Sequence, residues 1–473
     1  MALTDKHLAL VGFMGAGKTT LGAEVARRIG RRFVDLDELV ESNAERSIVE
    51  LFAEGESRFR ELEARAAEES LTWPQPLVVA LGGGALADER TRGLLRERAV
   101  TVWLDRPLAD CWERTRGSDR PLARDKAEFE RLYHERRSAY ADVADATAHD
   151  ADDAVLAAAG VHVERGAIHR LGNLVPGDGA AALVGDPHVA GIHGMDAQLA
   201  LGPRLAQTHE LPHGEEAKTL HALDRLWQSL RIDRTGTIVA LGGGCTTDAA
   251  GFAAATYLRG IAWTPVPTSL VAQVDAAIGG KTAVDLPQGK NLVGEFHWPD
   301  RTVIDPALLE TLSDGQRREG LAEVVKTGLL AGEPLWELPD GELVRRCAAF
   351  KSAVCLRDPH DDGERKMLNL GHTFAHALET AAGYEGLTHG RAVALGLKAA
   401  LKLSGRESRE IDELLQPKPV HVDRELAWQA MQRDKKVVRG ELRLVLLGVR
   451  GPEWDVSVPS ADVRSALDEL IAG

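Results

Sequence analysis

The sequence predicts an α/β protein in two parts: a phosphate-binding-loop domain, then a larger α/β unit that turns mainly helical. Three observations carry this. An apolar run at 8–11 feeds into glycines, a lysine and a helical pattern. A second run, Thr237-Ile-Val-Ala-Leu241, feeds into Gly242-Gly-Gly244 and an Ala-rich helical pattern opened by Asp248. Segments around residues 320, 370 and 390 then carry polar residues at helical spacing.

At 473 residues the chain exceeds one ordinary domain, and a prior of about 150 residues per domain suggests roughly three. Charged residues make up 27% and hydrophobic ones 44%, as in ordinary soluble globular protein. There is no apolar run of about 18 residues to span a membrane, and the N-terminus lacks the basic-then-apolar layout of a signal peptide. The four cysteines form no CxxC pair, which fits a reducing cytoplasm and argues against disulfides or a cysteine zinc site. A net charge of −15 argues against nucleic-acid binding. Small anionic substrates stay open, because local Lys/Arg clusters decide those.

Residues 12–19 give a full GxxxxGK[ST] match, with a strand before and a helical pattern over 21–29 after. That context is what the motif needs. Backbone N–H groups of Gly15, Ala16, Gly17 and Thr20 face a phosphate, Lys18 reaches the β/γ-phosphates, and the Thr19 hydroxyl binds Mg²⁺. In Phe33-Val-Asp35-Leu-Asp37, residues two apart on a strand point to one side, so two carboxylates are expected to project together. Asp35 is placed to reach Mg²⁺ and Asp37 to accept from substrate hydroxyls. The bland alternative is a pair of solvated loop acids or a helix cap at Asp37.

Arg58 and Arg60 follow, then a strand pattern into Gly82-Gly83-Gly84, an Arg-rich loop between Arg116 and Arg120, and Arg136 before Tyr140. Singly each arginine reads as surface; it is the set that matters. That set resembles shikimate kinase over residues 8–149: the phosphate loop, the DxD pair, FRxxE at 59–63, GGG, the RPL lid at 120–122 and Arg136-x-x-x-Tyr140. The resemblance implies that Asp37, Arg60, Gly83 and Arg136 hold shikimate and that Arg120 closes on ATP. A guanidinium fork matches a carboxylate, which accounts for the paired arginines. Ser138 stands where the family usually has Pro.

A short acidic helix begins at Asp150 and ends near Gly160, and little periodicity follows to residue 179. The domain boundary is placed there, giving 1–159, 160–306 and 307–473. VVALGGG at 78–84 and IVALGGG at 238–244 have unlike flanks and read as two independent strand–glycine turns.

In the second part, Asp186 ends an early strand and suits a ribose hydroxyl. Gly243 and Gly244 approach a pyrophosphate. Arg259, Lys281 and Lys290 sit among Gly and Pro as fixed cations. Glu323 and Lys326 are three apart on a predicted helix and share a face. Arg365, Asn369, His372 and His376 fall at spacings of 4, 3 and 4, which predicts one helical stripe too polar for packing, and His389 opens another helical pattern. One carboxylate and two imidazoles, Glu323, His372 and His389, leave an open metal position, as in a catalytic zinc site.

From residue 242 to the chain end, with GGK and GKN, the chain resembles 3-dehydroquinate synthase. The resemblance implies an α/β NAD-binding lobe and a mainly helical metal lobe, with Zn²⁺ or Co²⁺ on Glu323, His372 and His389. It assigns Asp186, Glu215, Lys218, Gly243, Gly244, Asp248, Thr268, Ser269, Lys281, Lys290 and Asn291 to the cofactor region. Arg259, Asp275, Lys281, Lys290, Asn291, Lys326, Lys351, Arg365, Asn369, His376 and one of Lys435 or Lys436 are assigned to the substrate and its chemistry. His213 and Thr247 depart from the family's Asp and Gly. The resemblance admits a homodimer through this half.

The expected activities are ATP-dependent phosphorylation of shikimate and conversion of 3-deoxy-D-arabino-heptulosonate 7-phosphate to 3-dehydroquinate and phosphate, in the cytoplasm. The expected partners are these small molecules, with no nucleic acid and no membrane. Two alternatives stay open: a metal-dependent polyol dehydrogenase in the second half, or a non-catalytic regulatory module in either half.

Overall fold

The phosphate-binding loop leaves the central strand of the first sheet, which is buried along its whole length. In the computed structural model, which describes residues 3–117, 122, 125–383, 386–433, 437–438 and 441–472, β1 (His7–Val11) is buried at every position. The other strands are β2 (Phe33–Asp35), β3 (Val78–Ala80), β4 (Ala99–Trp103) and β5 (Ala146–Thr147). Their order is β2-β3-β1-β4-β5, all parallel. Parallel sheets are covered on both faces, so their strands read as apolar runs rather than alternations. The chain divides into two compact units, residues 1–160 and 161–473.

The second unit opens with β6 (Val161–Val163), which returns to pair in parallel with the much later β13 (Thr302–Ile304). Between them lie β7 (Ala181–Gly185), β8 (Leu205–Glu210), β9 (Thr237–Gly242) and β10 (Ala262–Pro267), a parallel sheet in the order β10-β9-β7-β8. Connections leave β7 towards opposite sides, so a crevice opens at the carboxyl ends of β7 and β9. The helix Gly244–Thr256 presses on this sheet through Ala249, Ala250, Ala253 and Ala254, all fully buried. Small side chains permit that close approach. The helix begins at Gly244, four residues before the predicted start at Asp248, because Gly244 and its neighbours already have helical geometry after the strand turn.

An antiparallel hairpin, β11 (Lys281–Leu286) and β12 (Gly289–Phe296), follows β10. Beyond residue 306 the unit is mainly helical. Its core packs the helices Asp314–Ala331, His372–Ala381 and His389–Leu403 through Ala322, Val325, Phe374, Leu378, Val393 and Leu397. A small sheet of β14 (Val437–Val438), β15 (Glu441–Gly448) and β16 (Gly451–Val458) packs on this helical core. The four cysteines are unpaired. Among the described residues no helix is long and apolar enough to cross a membrane.

Candidate active sites

In the first unit, Gly15 and Gly17 take left-handed backbone, with φ of 80° and 95°. A Cβ on Gly15 would lie 2.5 Å from the Cys111 carbonyl oxygen, so packing as well as the turn requires glycine. Ala16 is buried. Gly17 caps the helix Lys18–Arg28 without a side-chain bond, which leaves the N–H groups of its first turn, including those of Thr19 and Thr20, pointing at an open end. The Lys18 ammonium donates to the Gly12 and Phe13 carbonyls at 2.8 and 3.1 Å. Thr19 Oγ1 donates to Asp35 Oδ2 at 2.6 Å. A hydroxyl and a carboxylate at that distance beside a phosphate loop are a fitting pair for Mg²⁺.

The strand argument for Asp35 and Asp37 fails. β2 ends at Asp35, which caps the helix Leu36–Ala44 by accepting from the Asp37 N–H at 2.9 Å. Asp37 therefore lies in the first helical turn. Capping geometry, not strand alternation, brings the two carboxylates together.

Asp37, Arg60, Gly83 and Arg136 line one cavity of about 310 Å³, closed by Phe52, Phe59 and others. Arg60 is fixed by Glu63 at 2.6 Å and Glu56 at 2.8 Å. Glu63 is buried, and burial pushes its carboxyl above the usual range, against the opposing pull of Arg60. Arg136 and Tyr140 both donate to the Gly83 carbonyl, at 3.1 and 2.5 Å. Glu63 and Arg60 account for two of the three glycines: a Cβ on Gly82 would meet Glu63 Oε1 at 2.1 Å, and one on Gly84 would meet Arg60 Nη1 at 2.3 Å. Arg58 pairs with Glu61 and Arg116 with Glu113, both in exposed ion pairs. Arg120 lies outside the described residues.

In the second unit a cavity of about 150 Å³ lies at the carboxyl ends of β7, β9 and β10. Asp186, Gly243, Gly244, Thr268 and Ser269 line it, with His213. Asp186 Oδ1 caps the helix Pro187–Leu201 through the His188 and Val189 N–H groups, and His213 Nδ1 stands 3.5 Å from the same oxygen. Below it, Lys218 is buried and donates to Asp248 at 2.6 Å and also to Asn291. Lys290, on the hairpin, pairs with Glu215. Thr247, where the resemblance expects Gly, is buried and donates to the Gly244 carbonyl at 3.0 Å.

The metal-type cluster is tight. One ligand atom from each of Glu323, His372 and His389 lies within 4.8 Å of the others. Glu323 is fully buried, and its Oε1 is 3.4 Å from His372 Nε2 and 3.2 Å from His389 Nε2. Burial would raise this carboxyl, but Lys326 and His372 hold it well below the usual range. Burial opposes protonation of His389, yet the Glu323 and Glu379 carboxylates push it up to about 10. His389 Nδ1 faces Glu379 at 3.3 Å and His372 Nδ1 faces the Leu370 carbonyl at 3.2 Å. Both rings thus have their outer nitrogen held and their Nε2 turned inward, the orientation that outer-shell partners give to metal-binding histidines. Glu379 had not been singled out from sequence. Its signal was there: it lies three residues after His376 and seven after His372, on the same helical face.

Beside this cluster stands a network of cations. Lys326 is buried and pairs with Glu323 and, at 3.3 Å, with Asp275. Lys351 also pairs with Asp275 and donates to its carbonyl at 2.7 Å. Burial works against the charged form of Asp275, but Lys326 and Lys351 outweigh it and hold its carboxyl below the usual range. Lys351 is no surface lysine; its side chain is only 12% exposed. Lys281 pairs with Asp361 at 2.5 Å, an acid that no sequence pattern marks.

The single stripe predicted over 365–376 is broken. Arg365 and Asn369 sit on a 3₁₀ turn, Glu364–Asn369, and the α-helix starts only at His372. Gly371 intervenes with φ of 78°. A Cβ there would meet the Leu397 N–H nitrogen at 2.7 Å, so the break lets two helices touch. Arg365 is nevertheless buried, held by the Pro359 and Gly279 carbonyls at 2.9 and 2.8 Å. His376 is exposed, its ring 5.6 Å from that of His372. Arg259 is exposed on a 3₁₀ turn with φ of 68°. Lys435 and Lys436 lie outside the described residues.

Comparison with known proteins adds three matches to family models. Shikimate kinase matches residues 14–164, the 3-dehydroquinate synthase N-terminal region matches 208–319, and its C-terminal region matches 320–437. The 3-dehydroquinate synthase of Bordetella pertussis is 38% identical over 343 residues, 65% of this chain and 95% of that protein. A solved structure, 2-deoxy-scyllo-inosose synthase complexed with carbaglucose-6-phosphate, NAD⁺ and Co²⁺, is 26% identical, with a TM-score of 0.59 over 65% of this chain and 96% of that one. The bifunctional shikimate kinase/3-dehydroquinate synthase of Thermotoga maritima is 33% identical over 470 residues, covering 92% of this chain and 94% of that protein. Neither the dehydrogenase nor the regulatory alternative is favoured by these relatives. Similarity that runs through both units in one relative means that the chain belongs to the bifunctional shikimate kinase/3-dehydroquinate synthase family.

Proposed function

We propose that the first unit phosphorylates shikimate with ATP and that the second converts 3-deoxy-D-arabino-heptulosonate 7-phosphate to 3-dehydroquinate and phosphate. In the first unit Gly15, Ala16, Gly17, Lys18 and Thr20 would hold the nucleotide phosphates, and Thr19 and Asp35 would hold Mg²⁺. When bound, Mg²⁺ neutralises charge on the phosphate oxygens. Arg60 and Arg136 bind the shikimate carboxylate, and Asp37 takes the proton of the attacking hydroxyl. The pairing of Arg60 with buried Glu63 supports this, since it fixes the fork before substrate arrives. Arg120 is proposed to close over ATP.

In the second unit Glu323, His372 and His389 would hold Zn²⁺ or Co²⁺, and the crevice lined by Asp186, Gly243, Gly244, Thr268 and Ser269 would hold NAD. Glu215, Lys218, Asp248, Lys290 and Asn291 brace that crevice. When bound, NAD would supply reversible hydride transfer and the metal would supply polarisation of substrate oxygens. Lys326, Lys351 and Arg365 grip the substrate's negative charge, with Lys281, Arg259, Asn369 and His376 around them. Asp275 keeps two of these lysines charged and aimed.

The single observation that carries this reading is the inward-facing trio of Glu323, His372 and His389 beside Lys326, one cluster combining a metal site with fixed cations. The test is phosphate release from the heptulosonate phosphate under multiple turnover. Release that needs catalytic NAD, without build-up of NADH, supports the synthase; stoichiometric NADH with phosphate retained on the product contradicts it. Cytoplasmic action, supported by four unpaired cysteines, and a homodimer through the second unit belong to the same proposal.

A further inference from the structure

A second cavity in the helical part of the second unit, about 200 Å³, lies apart from the residues assigned above. Arg318, Arg391 and Lys418 line it, on three separate segments. All three are exposed. Among the described residues none of them has a carboxylate partner, although ion pairs engage many of this chain's cations. The one acid in the lining, Glu319, is already committed: it accepts from Thr388 Oγ1 at 2.6 Å and from the Gly390 N–H at 2.7 Å. Leu415 and Pro417 form an apolar wall.

Three cations against the one Glu319 carboxylate leave the concavity with a net positive charge, which concentrates counter-ions there. In a chain of net charge −15 such a cluster stands out against its surroundings. A cavity this small admits a compact molecule only. We propose that it binds a compact organic anion carrying phosphate or carboxylate groups on a short carbon frame. Guanidinium groups on two sides suit its oxygens, and the apolar wall suits its carbon.

The site is coupled to the metal cluster by position. Arg318 lies on the helix that carries Glu323, and Arg391 lies two residues after His389. An anion held by both arginines ties these two helices together, and with them two of the three metal-type residues. Its occupancy therefore slows loss of the metal. This second half rests on the metal reading given above; anion binding itself does not.

The experiment compares the full-length wild type with Arg318→Gln/Lys418→Gln by titration calorimetry, using 3-phosphoglycerate and succinate as probes and inorganic sulfate as the plain-ion control. The wild type is expected to bind an organic anion saturably. The variant, with an unchanged melting temperature, is expected to bind at least tenfold more weakly. The stronger probe tells whether phosphate or paired carboxylates are preferred. Superimposable isotherms for the two proteins, or sulfate binding as tightly as both organic anions, overturn the site. In the zinc-loaded protein, release to a chelator is expected to slow when the probe is bound in the wild type and not in the variant. Equal release rates in the wild type with and without the probe overturn the coupling while leaving the binding result to stand or fall alone. Failure of the metal reading shows separately, as no stoichiometric zinc uptake by either protein.

Discussion

Among the described residues Asp275 is the carboxylate that forms an ion pair with Lys351 and one of two that pair with Lys326, so replacing it by alanine probes the electrostatics of the proposed substrate site. Breaking a buried ion pair from one side costs about 3–5 kcal/mol, because the other charge stays buried without compensation. Two features place Asp275→Ala at the low end. The Asp275 side chain keeps 21% of its surface open, and Lys326 retains Glu323. Lys351 keeps its hydrogen bond to the residue-275 backbone carbonyl and the charge of Asp248. A loss of about 3 kcal/mol follows, which in a unit of this size lowers its melting temperature by about 5 °C. Calorimetric melting of the full chain reads it. Adding Lys351→Met removes the stranded charge, so the double variant is expected to recover much of the loss.

The same pair predicts a pH limb. A carboxyl held below its ordinary value of 3.8 contributes stability that is fully present above that value and is lost as pH falls through the folded value. The gap between wild type and Asp275→Ala should therefore narrow below about pH 4. A single variant that melts with the wild type, or a double variant no better than the single, would refute the idea that Asp275 neutralises these lysines.

Three further outcomes are expected. Lys18→Ala should lower shikimate phosphorylation by about 10²-fold or more and leave phosphate release by the second unit unchanged; coupled assays of both activities on one preparation check this. Glu379→Gln should weaken zinc binding about 10–100-fold by removing the partner that orients His389, measured by competition with a chelator. Residues 1–160 and 161–473, expressed separately, should each give a cooperative melt, since each has its own core; a fragment that is insoluble alone would show that the boundary is misplaced.

Much of this protein was written locally. The phosphate loop needs only a strand, glycines and a helix start in succession, and residues 8–28 supply them in order. Glu323 and Lys326 meet because three residues make most of a helical turn. Long apolar strands such as β1 and β9 identify a parallel sheet without any partner being known. The local rule failed where the backbone changed state within a motif. Asp35 ends a strand and caps a helix, so alternation did not apply. Gly371 turns left-handed because another helix passes within contact distance of it, and no periodicity in 365–376 foretells that neighbour. Long-range partners were the other gap. His389 meets Glu323 across 66 residues, Lys351 meets Asp275 across 76, and Lys281 meets Asp361 across 80. Which charges neutralise one another at such separations depends on how whole helices pack. The sequence by itself thus determined the kinds of chemistry and the elements that carry them; only the tertiary structure decided which carboxylate serves which cation, because that choice is made by distance and burial rather than by spacing along the chain.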